Sequence, residues 1–313
     1  MATQQTIPEQ IDTLVSRGMT IDDDADRWLR YVGYHRLSGY WLVYQRLADS
    51  ACSPQRSEEF DPGCRLSEVV ALYEFDRRLR TLTHDGIERV EVGLRRMIVE
   101  VVVRRDPLAH RDPLFFRPGF DHQSWMRRAE SRIDRSARRS RSLQSELRHH
   151  DRRVPIWVLV ELLDFADLSL LFQGMRAEEQ WAIAGELGIA IAPERLTGNQ
   201  RAKALRHHPL ANWLEQLTLV RNICAHHARL WNRTLIPAGT SAMRTVPGLE
   251  SLPTGQTEKV YGSLRLIASV LATVSPGSRW WSTITELVDS RLVLAARRAP
   301  EEMGFPRRGT AKQ

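Results

Sequence analysis

Lysine is almost absent from this 313-residue chain, in which three lysines stand beside 42 arginines. So strong a preference for arginine is typical of a GC-rich coding sequence. The arginine content alone is therefore weak evidence for nucleic-acid binding. The formal net charge of +7 still favours acidic partners, nucleic acid first, but the positions of the arginines have to decide the question.

Cysteine and long apolar runs are also scarce. The three cysteines, Cys52, Cys64 and Cys224, are too few and too far apart for a disulfide framework. The N-terminus shows no basic segment followed by an apolar one, so we expect no secretory signal and a reducing, cytoplasmic location. No apolar run approaches the roughly 18 residues that a transmembrane helix needs, which argues against a membrane partner.

Apolar residues recur at helical rather than strand spacing along most of the chain. The longest periodic segment, residues 66–105, predicts one long helix or two helices broken near Gly86. Because no series of strands is visible, we expect an all-α fold without a substantial sheet. We expect a single domain over residues 1–298, followed by a disordered tail over 299–313.

Prolines, glycines and polar stretches divide this domain into three helical groups. The predicted groups are N-terminal helices within residues 1–48, a central bundle over 66–233 and C-terminal helices over 256–293. The last N-terminal helix is predicted to reach about Leu47, before a polar loop at 49–64. In the central group, Pro155 is predicted to begin one continuous apolar helix.

The segment with the most chemical content is a helix predicted to run from Pro209 to about Asn232. Its apolar side chains form a core stripe of Trp213, Leu217, Val220, Cys224 and Trp231. The opposite side carries a polar row within about 60°, at 100° per residue, that comprises Asn222, His226, Arg229 and Arg233. Arg221 lies on the flank of this row.

An amide, an imidazole and guanidinium groups in one row are suited to binding and cleaving a phosphodiester. Histidine titrates near neutral pH and serves as a general acid or base. Arginine offers a fixed positive fork that binds a phosphate and stabilises charge that develops on it. If the substrate is RNA, its 2′-hydroxyl is the nucleophile, so neither a metal nor a protein nucleophile is required. The alternative that the spacing leaves open is a solvated basic helix face.

The segment RNICAHHARLWNR, residues 221–233, resembles the signature of the abortive-infection (Abi) family of bacterial phage-defence proteins, which belongs to the HEPN superfamily of helical nucleases. Further segments similar to that family follow in order along the chain. They are EQIDTLVSRGMTIDDD, YHRLSGYW, LYEFDRRLRTLTHDGIERVEVGLR, VPIWVLVELLDFADLSLLF and MGFP. The resemblance extends from about residue 8 to residue 306.

This resemblance implies a HEPN-like helical bundle that cleaves RNA without a metal and leaves a 2′,3′-cyclic phosphate. It implies a composite site where two copies of the chain meet. Arg221 would then stabilise the phosphate in the transition state, and His226 would be the general acid or base. Asn222 would orient the phosphate or the histidine. The expected partners are RNA and a second copy of the chain, with a structured non-coding RNA or another defence component as further candidates.

Ten arginines lie between residues 127 and 153, against four acidic residues. This segment predicts an exposed helix or arm, which would be either a solvated face or a salt-dependent contact for RNA. The residues that we expect to bind RNA are Arg127, Arg128, Arg152, Arg153, His227, Arg229 and Arg233. For His227 the alternative is a partly buried, hydrogen-bonded position.

Other polar groups support fewer conclusions. Glu91 and Arg95 have the i, i+4 spacing of an ion pair, which favours a solvated face over a supporting role beside Arg221. Cys224 and His226 point different ways on one helix, and no zinc-site spacing is present, so we expect no metal. Because there is no G-x-x-x-x-G-K loop, we expect no ATP dependence and no other cofactor.

Three hypotheses follow for the function. The first is an RNA-cleaving defence toxin that works as a homodimer. The second is a non-catalytic RNA-binding module that binds, or is held by, a structured RNA. The third is a protein–protein adaptor, which would have no need for an aligned row of Asn, His and Arg side chains. The first two hypotheses share that row, so the sequence does not separate them.

Overall fold

The computed structural model describes residues 5–47, 56–141, 144–145, 147 and 153–307. Helices dominate these residues, and the expected all-α class is confirmed. The sheets found there are two antiparallel ribbons of two strands each. In the part of the chain so described, no helix combines the length and apolar character that crossing a membrane requires.

The described residues contain twelve α-helices. Their bounds are α1 (Ile7–Ser16), α2 (Ala25–Tyr31), α3 (Tyr34–Trp41), α4 (Leu66–Val103), α5 (His122–Ala137), α6 (Ile156–Leu162), α7 (Phe165–Gly174), α8 (Ala177–Glu186), α9 (Gly198–Arg206), α10 (Leu210–Ala225), α11 (Val260–Val274) and α12 (Trp280–Leu287). The strands are β1 (Gln45–Leu47), β2 (Arg56–Phe60), β3 (Ala238–Gly239) and β4 (Gln256–Thr257). Strand β1 pairs with β2, and β3 pairs with β4. Each ribbon has only two short strands, so neither forms a separate layer of the fold.

The chain divides into two compact units. Unit 1 comprises Met1–Thr81, Arg229–Trp231 and Ser282–Gln313, and unit 2 comprises Leu82–Ala228 and Asn232–Trp281. Helix α4 contributes its residues up to Thr81 to unit 1 and the remainder to unit 2. The expectation of one domain over residues 1–298 stays a prediction.

In unit 1 a hairpin takes the place of the helix end expected near Leu47. Strand β1 pairs with β2, with Gln45 opposite Phe60. Phe60 is buried, and its ring meets that of Trp41 edge to face, with centroids 6.3 Å apart. The predicted polar loop at 49–64 therefore contains a strand, and residues 49–55 of that region lie outside the described residues.

Helix α4 is continuous through Gly86, which decides between the one-helix and two-helix predictions. A β-carbon at Gly86 would lie 2.6 Å from Ile267 Cγ2 and 2.8 Å from Trp280 Cε2. The indole Nε1 of Trp280 also donates to Leu82 O of α4, at 2.7 Å. Residue 86 is therefore a glycine because Ile267 and Trp280 leave no space for a β-carbon, and not because the helix breaks there.

The apolar segment that begins at Pro155 forms two helices instead of the one predicted. Helix α6 ends at Leu162, and Asp164 caps α7 by accepting a hydrogen bond from Asp167 N at 3.0 Å. Within unit 2, α7 packs against both α5 and α10. The break therefore places an acidic cap between packed helices.

The C-terminal residues of unit 1 are folded further than expected. Pro300–Met303 forms a 3-10 turn, and Met303 is fully buried. The Tyr44 hydroxyl donates to Ala296 O at 2.6 Å. The turn lies within the predicted disordered tail over 299–313, which stays a prediction, and residues 308–313 lie outside the described part of the chain.

Candidate functional site

The helix that carries the predicted polar row, α10, ends at Ala225, several residues earlier than expected. The backbone N–H of His226 still donates to Asn222 O at 3.0 Å, which completes the last helical turn. The row therefore breaks after His226, and the expectation that Arg229 and Arg233 continue it along the same helix face is wrong.

A Schellman motif ends α10 at this point. His227 adopts a left-handed conformation with φ of +56°, and its N–H donates to Cys224 O at 3.1 Å. The N–H of Ala228 donates to Ile223 O at 3.0 Å. His227 is exposed, so the structure does not show the partly buried position that was the alternative prediction for it. Glycine usually occupies this position, and its absence left no sequence signal for the helix end.

The end of α10 presents Asn222 and His226 on one exposed face. They lie one helical turn apart, and both side chains are exposed, whereas Arg221 is half-buried beside them. The core stripe is confirmed for its helical members, since the buried residues of α10 include Trp213, Leu217, Val220 and Cys224. An amide, an imidazole and a guanidinium therefore share the end of a helix whose other side is packed in the core.

Arg229 and Arg233 lie beyond the helix in different settings. Arg229 belongs to unit 1, is half-buried, and donates from its guanidinium to Gly39 O in α3. Arg233 belongs to unit 2 and is exposed. Arg229 thus has an intramolecular role that the sequence did not predict, while the expected RNA contact of either arginine stays a prediction.

A buried carboxylate, Asp76, anchors the two residues after Arg229. It accepts hydrogen bonds from Trp231 N at 2.8 Å and Leu230 N at 3.2 Å. The Tyr40 hydroxyl donates to it at 2.7 Å, and Arg80 forms an ion pair with it. Burial raises the pKa of Asp76, and the positive charge of Arg80 opposes this. Leu230 and Trp231 of the signature therefore have a structural role in unit 1.

Sequence reasoning missed the Asp76 cluster, although weak signals for it existed. Asp76 and Arg80 have i, i+4 spacing, which is usual on solvated helix faces. The residues that meet Asp76 come from three segments far apart in the chain. Helical periodicity alone does not indicate such a meeting.

A second charge cluster lies beside Arg221 in unit 2. Glu91 accepts a hydrogen bond from Arg95 at 2.5 Å, and Arg95 also donates to Leu163 O at 3.0 Å. These two side chains are only 15% and 19% exposed, which contradicts the favoured solvated face. Burial raises the pKa of Glu91, while the charges of Arg95 and then Arg221 lower it. Glu91 is therefore within electrostatic reach of Arg221, and its supporting role beside Arg221 stays a prediction.

Helix α5 extends this cluster through Arg132. Its guanidinium donates to Asp167 Oδ2 at 2.7 Å and forms an ion pair with Asp164, the cap of α7. The negative charge of Asp164 also raises the pKa of Glu91. Ion pairs and electrostatic effects thus link charged residues of α4, α5, the start of α7 and α10.

The outer side of α5 is basic. Trp125, Ala129 and Ile133 are buried, and the other side exposes Arg127 and Arg128. Further exposed arginines of this surface and the residues after it are Arg135, Arg138, Arg139 and Arg141. Arg153 is exposed as well, whereas the predicted contact Arg152 lies outside the described residues.

No cofactor site is indicated near α10. Within the described ranges, no group of three or more His, Cys, Asp or Glu side chains is arranged to hold a metal ion. Cys224 is buried and His226 is exposed, so the two do not face a common space.

The fold and this site define a helical protein with an exposed amide and imidazole and a half-buried guanidinium at a helix end, near partly buried charged residues. Residues 27–232 match the Abi-like protein family. Because the match covers well over half of the chain and includes Arg221, Asn222 and His226, the chain belongs to this family of abortive-infection proteins. No curated protein and no solved structure matches the chain significantly.

Proposed function

We propose that this abortive-infection protein is a metal-independent endoribonuclease of the HEPN type. The observation that carries the proposal is the exposed Asn222–His226 pair at the end of α10, beside half-buried Arg221. Glu91 supports it, because a partly buried carboxylate within electrostatic reach of Arg221 places negative charge near that guanidinium.

The chemistry follows from these three side chains. The 2′-hydroxyl of a ribose attacks the adjacent phosphorus, and a histidine takes the hydroxyl proton. The bond from phosphorus to the 5′-oxygen breaks, and that oxygen receives a proton as it leaves. The products are a 2′,3′-cyclic phosphate and a 5′-hydroxyl. Arg221 stabilises the charge on the phosphoryl oxygens, and Asn222 orients the phosphate or the imidazole of His226.

A homodimer is part of the proposal because the reaction moves two protons. One histidine accepts a proton from the 2′-hydroxyl, and a second group donates one to the leaving oxygen. Two copies of α10 related by a two-fold axis would supply His226 twice and would bring Arg221 of one copy to the other. The exposure of the α10 end is compatible with such a composite site.

The basic surface of α5 supports RNA as the substrate. Exposed arginines such as Arg127 and Arg128 attract a polyanion without reading its sequence. The net charge of +7 acts in the same direction. Sequence-independent attraction of this kind suits a toxin that degrades many RNAs.

The test is cleavage of an end-labelled single-stranded RNA by purified protein in excess EDTA. We expect cleavage by the wild type, with cyclic-phosphate ends, and a loss of about 100-fold or more in His226→Ala and in Arg221→Ala. His35→Ala and Arg78→Ala are matched controls, because both residues are exposed and lie in unit 1. They should cleave as the wild type does.

The competing function is a non-catalytic RNA-binding module. Salt-sensitive RNA binding by wild type, His226→Ala and Arg221→Ala, with no cleavage by any of them, would favour that module over the nuclease. The same assay repeated with extract from phage-infected cells would detect an enzyme that needs an activator. If the chain binds no RNA under any of these conditions, the protein–protein adaptor becomes the better hypothesis.

A further inference from the structure

Unit 2 contains a second feature, a cleft of about 610 Å³ that follows α11. We call it the α11 cleft and define it by Gly188, Gly248, Arg265, Thr273 and Trp281, which all line it. None of the residues of the candidate site at the end of α10 lines this cleft. Its volume lies in the range of about 300–1,000 Å³ that is usual for small-molecule sites.

The walls of the α11 cleft are shaped by backbone conformation. Gly188, Gly248 and Gly277 all have left-handed φ values, of +78°, +84° and +81°. At Gly188 a β-carbon would lie 2.1 Å from Thr273 Oγ1. Only glycine fits this position without strain, so the width of the cleft is built into the fold rather than left by loose packing.

Arg265 is held in a fixed position within this cleft. Its guanidinium lies over the ring of Trp281, with 4.6 Å to the centroid, and it donates to Gly248 O. Its buried Nε has no hydrogen-bond partner. Among the described residues no carboxylate comes within ion-pair distance of it. Backbone hydrogen bonds lower the pKa of Glu250, and the charge of Arg265 adds a smaller effect in the same direction. A guanidinium fixed in this way loses little entropy on binding an anion.

The remaining groups of the cleft are apolar surface and hydroxyls. Ala268 and Leu271 contribute apolar atoms to the lining, as does the indole of Trp281. Ser269 and Ser275 add hydroxyls that can donate to or accept from a sugar. An aromatic ring, a fixed guanidinium and hydroxyls in one cleft match the three parts of a nucleotide: base, phosphate and ribose.

We propose that the α11 cleft binds a ribonucleotide, with its phosphate on Arg265 and its base against Trp281. The ligand is either a free nucleoside monophosphate or the phosphorylated terminal nucleotide of an RNA chain. The proposal does not depend on cleavage at α10, because binding in this cleft involves neither Arg221 nor His226.

The experiment is equilibrium dialysis of the His226→Ala protein, in which any RNA stays intact. The probes are AMP, GMP, CMP, UMP, the four nucleosides, inorganic phosphate and a 5′-phosphorylated pentaribonucleotide. We expect saturable binding of at least one monophosphate or of the pentanucleotide, and weaker binding of nucleosides and phosphate alone. Tighter binding of a monophosphate than of the pentanucleotide identifies a free nucleotide as the ligand, whereas binding of the pentanucleotide alone, lost in the cleft variants below, identifies an RNA end.

Two further variants connect the binding to the cleft. Arg265→Gln should weaken binding about tenfold or more, through loss of a charged hydrogen-bonding partner. Ala272→Phe should block the cleft without removing a contact, because Ala272 lines it and is exposed, and Ala202→Phe on α9 is the control. Absence of saturable binding by every probe, or binding that neither variant changes, would overturn the proposal.

Discussion

Asp76 and Arg80 form a buried ion pair in unit 1. Asp76 is fully buried, and its negative charge is balanced by Arg80, which is itself only 5% exposed. A buried pair of this kind gains little over apolar packing, but removal of one partner leaves the other charge uncompensated. Asp76 also holds Leu230 N and Trp231 N, so its loss affects the backbone after Arg229 as well.

We therefore expect Asp76→Asn to lower the free energy of unfolding by about 3–5 kcal/mol. The change keeps the shape of the side chain but removes the charge that Arg80 needs. Urea denaturation followed by circular dichroism measures the loss. Asp26→Asn, in an exposed i, i+4 pair with Arg30, is the control and should leave the midpoint almost unchanged. A loss below about 1 kcal/mol would mean that Arg80 finds another partner.

Two buried histidines of unit 2 make stability depend on pH. Burial lowers the pKa of His110 to about 4, with smaller effects from Arg111 and His122. Burial lowers the pKa of His208 to about 3, with a smaller effect from His207. In the unfolded chain both titrate near 6.5, so below that pH the unfolded state binds protons that the folded state does not. The free energy of unfolding therefore falls as the pH falls from about 6.5 towards 4.

We expect each histidine to contribute a slope of up to about 1.4 kcal/mol per pH unit in this window, and none above it. Carboxyls with a raised pKa, such as Asp76 and Glu91, act in the opposite direction. The measurement is therefore the difference in slope between wild type and His110→Gln, from urea midpoints at pH 7.5, 6 and 5. Removal of exposed His35 should not change the slope. An unchanged slope in His110→Gln would show that folding does not lower the pKa of His110.

At the scale of elements, periodicity predicted the helices that pack by one continuous face. The central part of α4 is an example, since Ile87, Val90 and Leu94 are all buried as the pattern required. The breaks were harder to predict. The end of α6 and the start of α7 depend on the cap Asp164, which lies inside an apolar run that reads as one helix. The hairpin of β1 and β2 has short strands whose partners are separated by a long connection.

The candidate site was predicted where it depends on neighbours in the chain and missed where it depends on distant ones. Asn222 and His226 share a face because they are one turn apart on α10. The end of the helix after His226 could not be predicted, because no glycine or proline marks it. The nearness of Glu91 to Arg221 results from packing between helices, which one sequence does not reveal.

The left-handed conformation of His227 at the end of α10 leads to a prediction about stability. A non-glycine residue in the left-handed region costs about 1 kcal/mol, so His227→Gly should raise the free energy of unfolding by about that amount. His226→Gly is the matched comparison, because His226 has φ of −92° and gains nothing from glycine. Thermal unfolding measures both. If His227→Gly also retains RNA cleavage, His226 is the histidine that acts; a destabilised His227→Gly would mean that its side-chain contacts outweigh the strain.

At the scale of the whole molecule, charge is the property that sequence and structure connect most directly. The excess of +7 is carried by arginines. Arg132 of α5 pairs with Asp164 and Asp167 at the start of α7, while Arg127 and Arg128 of α5 are exposed. Although Glu130 and Asp134 are exposed on the same helix, the exposed arginines of residues 127–141 outnumber them and leave a basic surface. Long-range attraction of RNA should therefore depend on α5 more than on total charge.

The exposed arginines of α5 should set the salt dependence of RNA binding. For single strands, the logarithm of the binding constant falls with the logarithm of salt concentration by about 0.7 per phosphate neutralised. Arg127→Gln with Arg128→Gln removes two such contacts and should make the slope shallower by about 1.4. The control pair, Lys203→Gln with Arg206→Gln on α9, removes the same charge from exposed positions and should change the slope little.

Fluorescence anisotropy with a labelled single-stranded RNA, between 50 and 300 mM salt, measures these slopes, and His226→Ala in every protein prevents cleavage. The two charge-loss pairs have equal net charge, so any difference between them reports position rather than total charge. If both pairs make the slope equally shallow, RNA responds to the overall field of the protein and α5 is a solvated face. If only the α5 pair does so, the backbone of the RNA crosses the exposed side of α5, and position rather than total charge brings the RNA to unit 2.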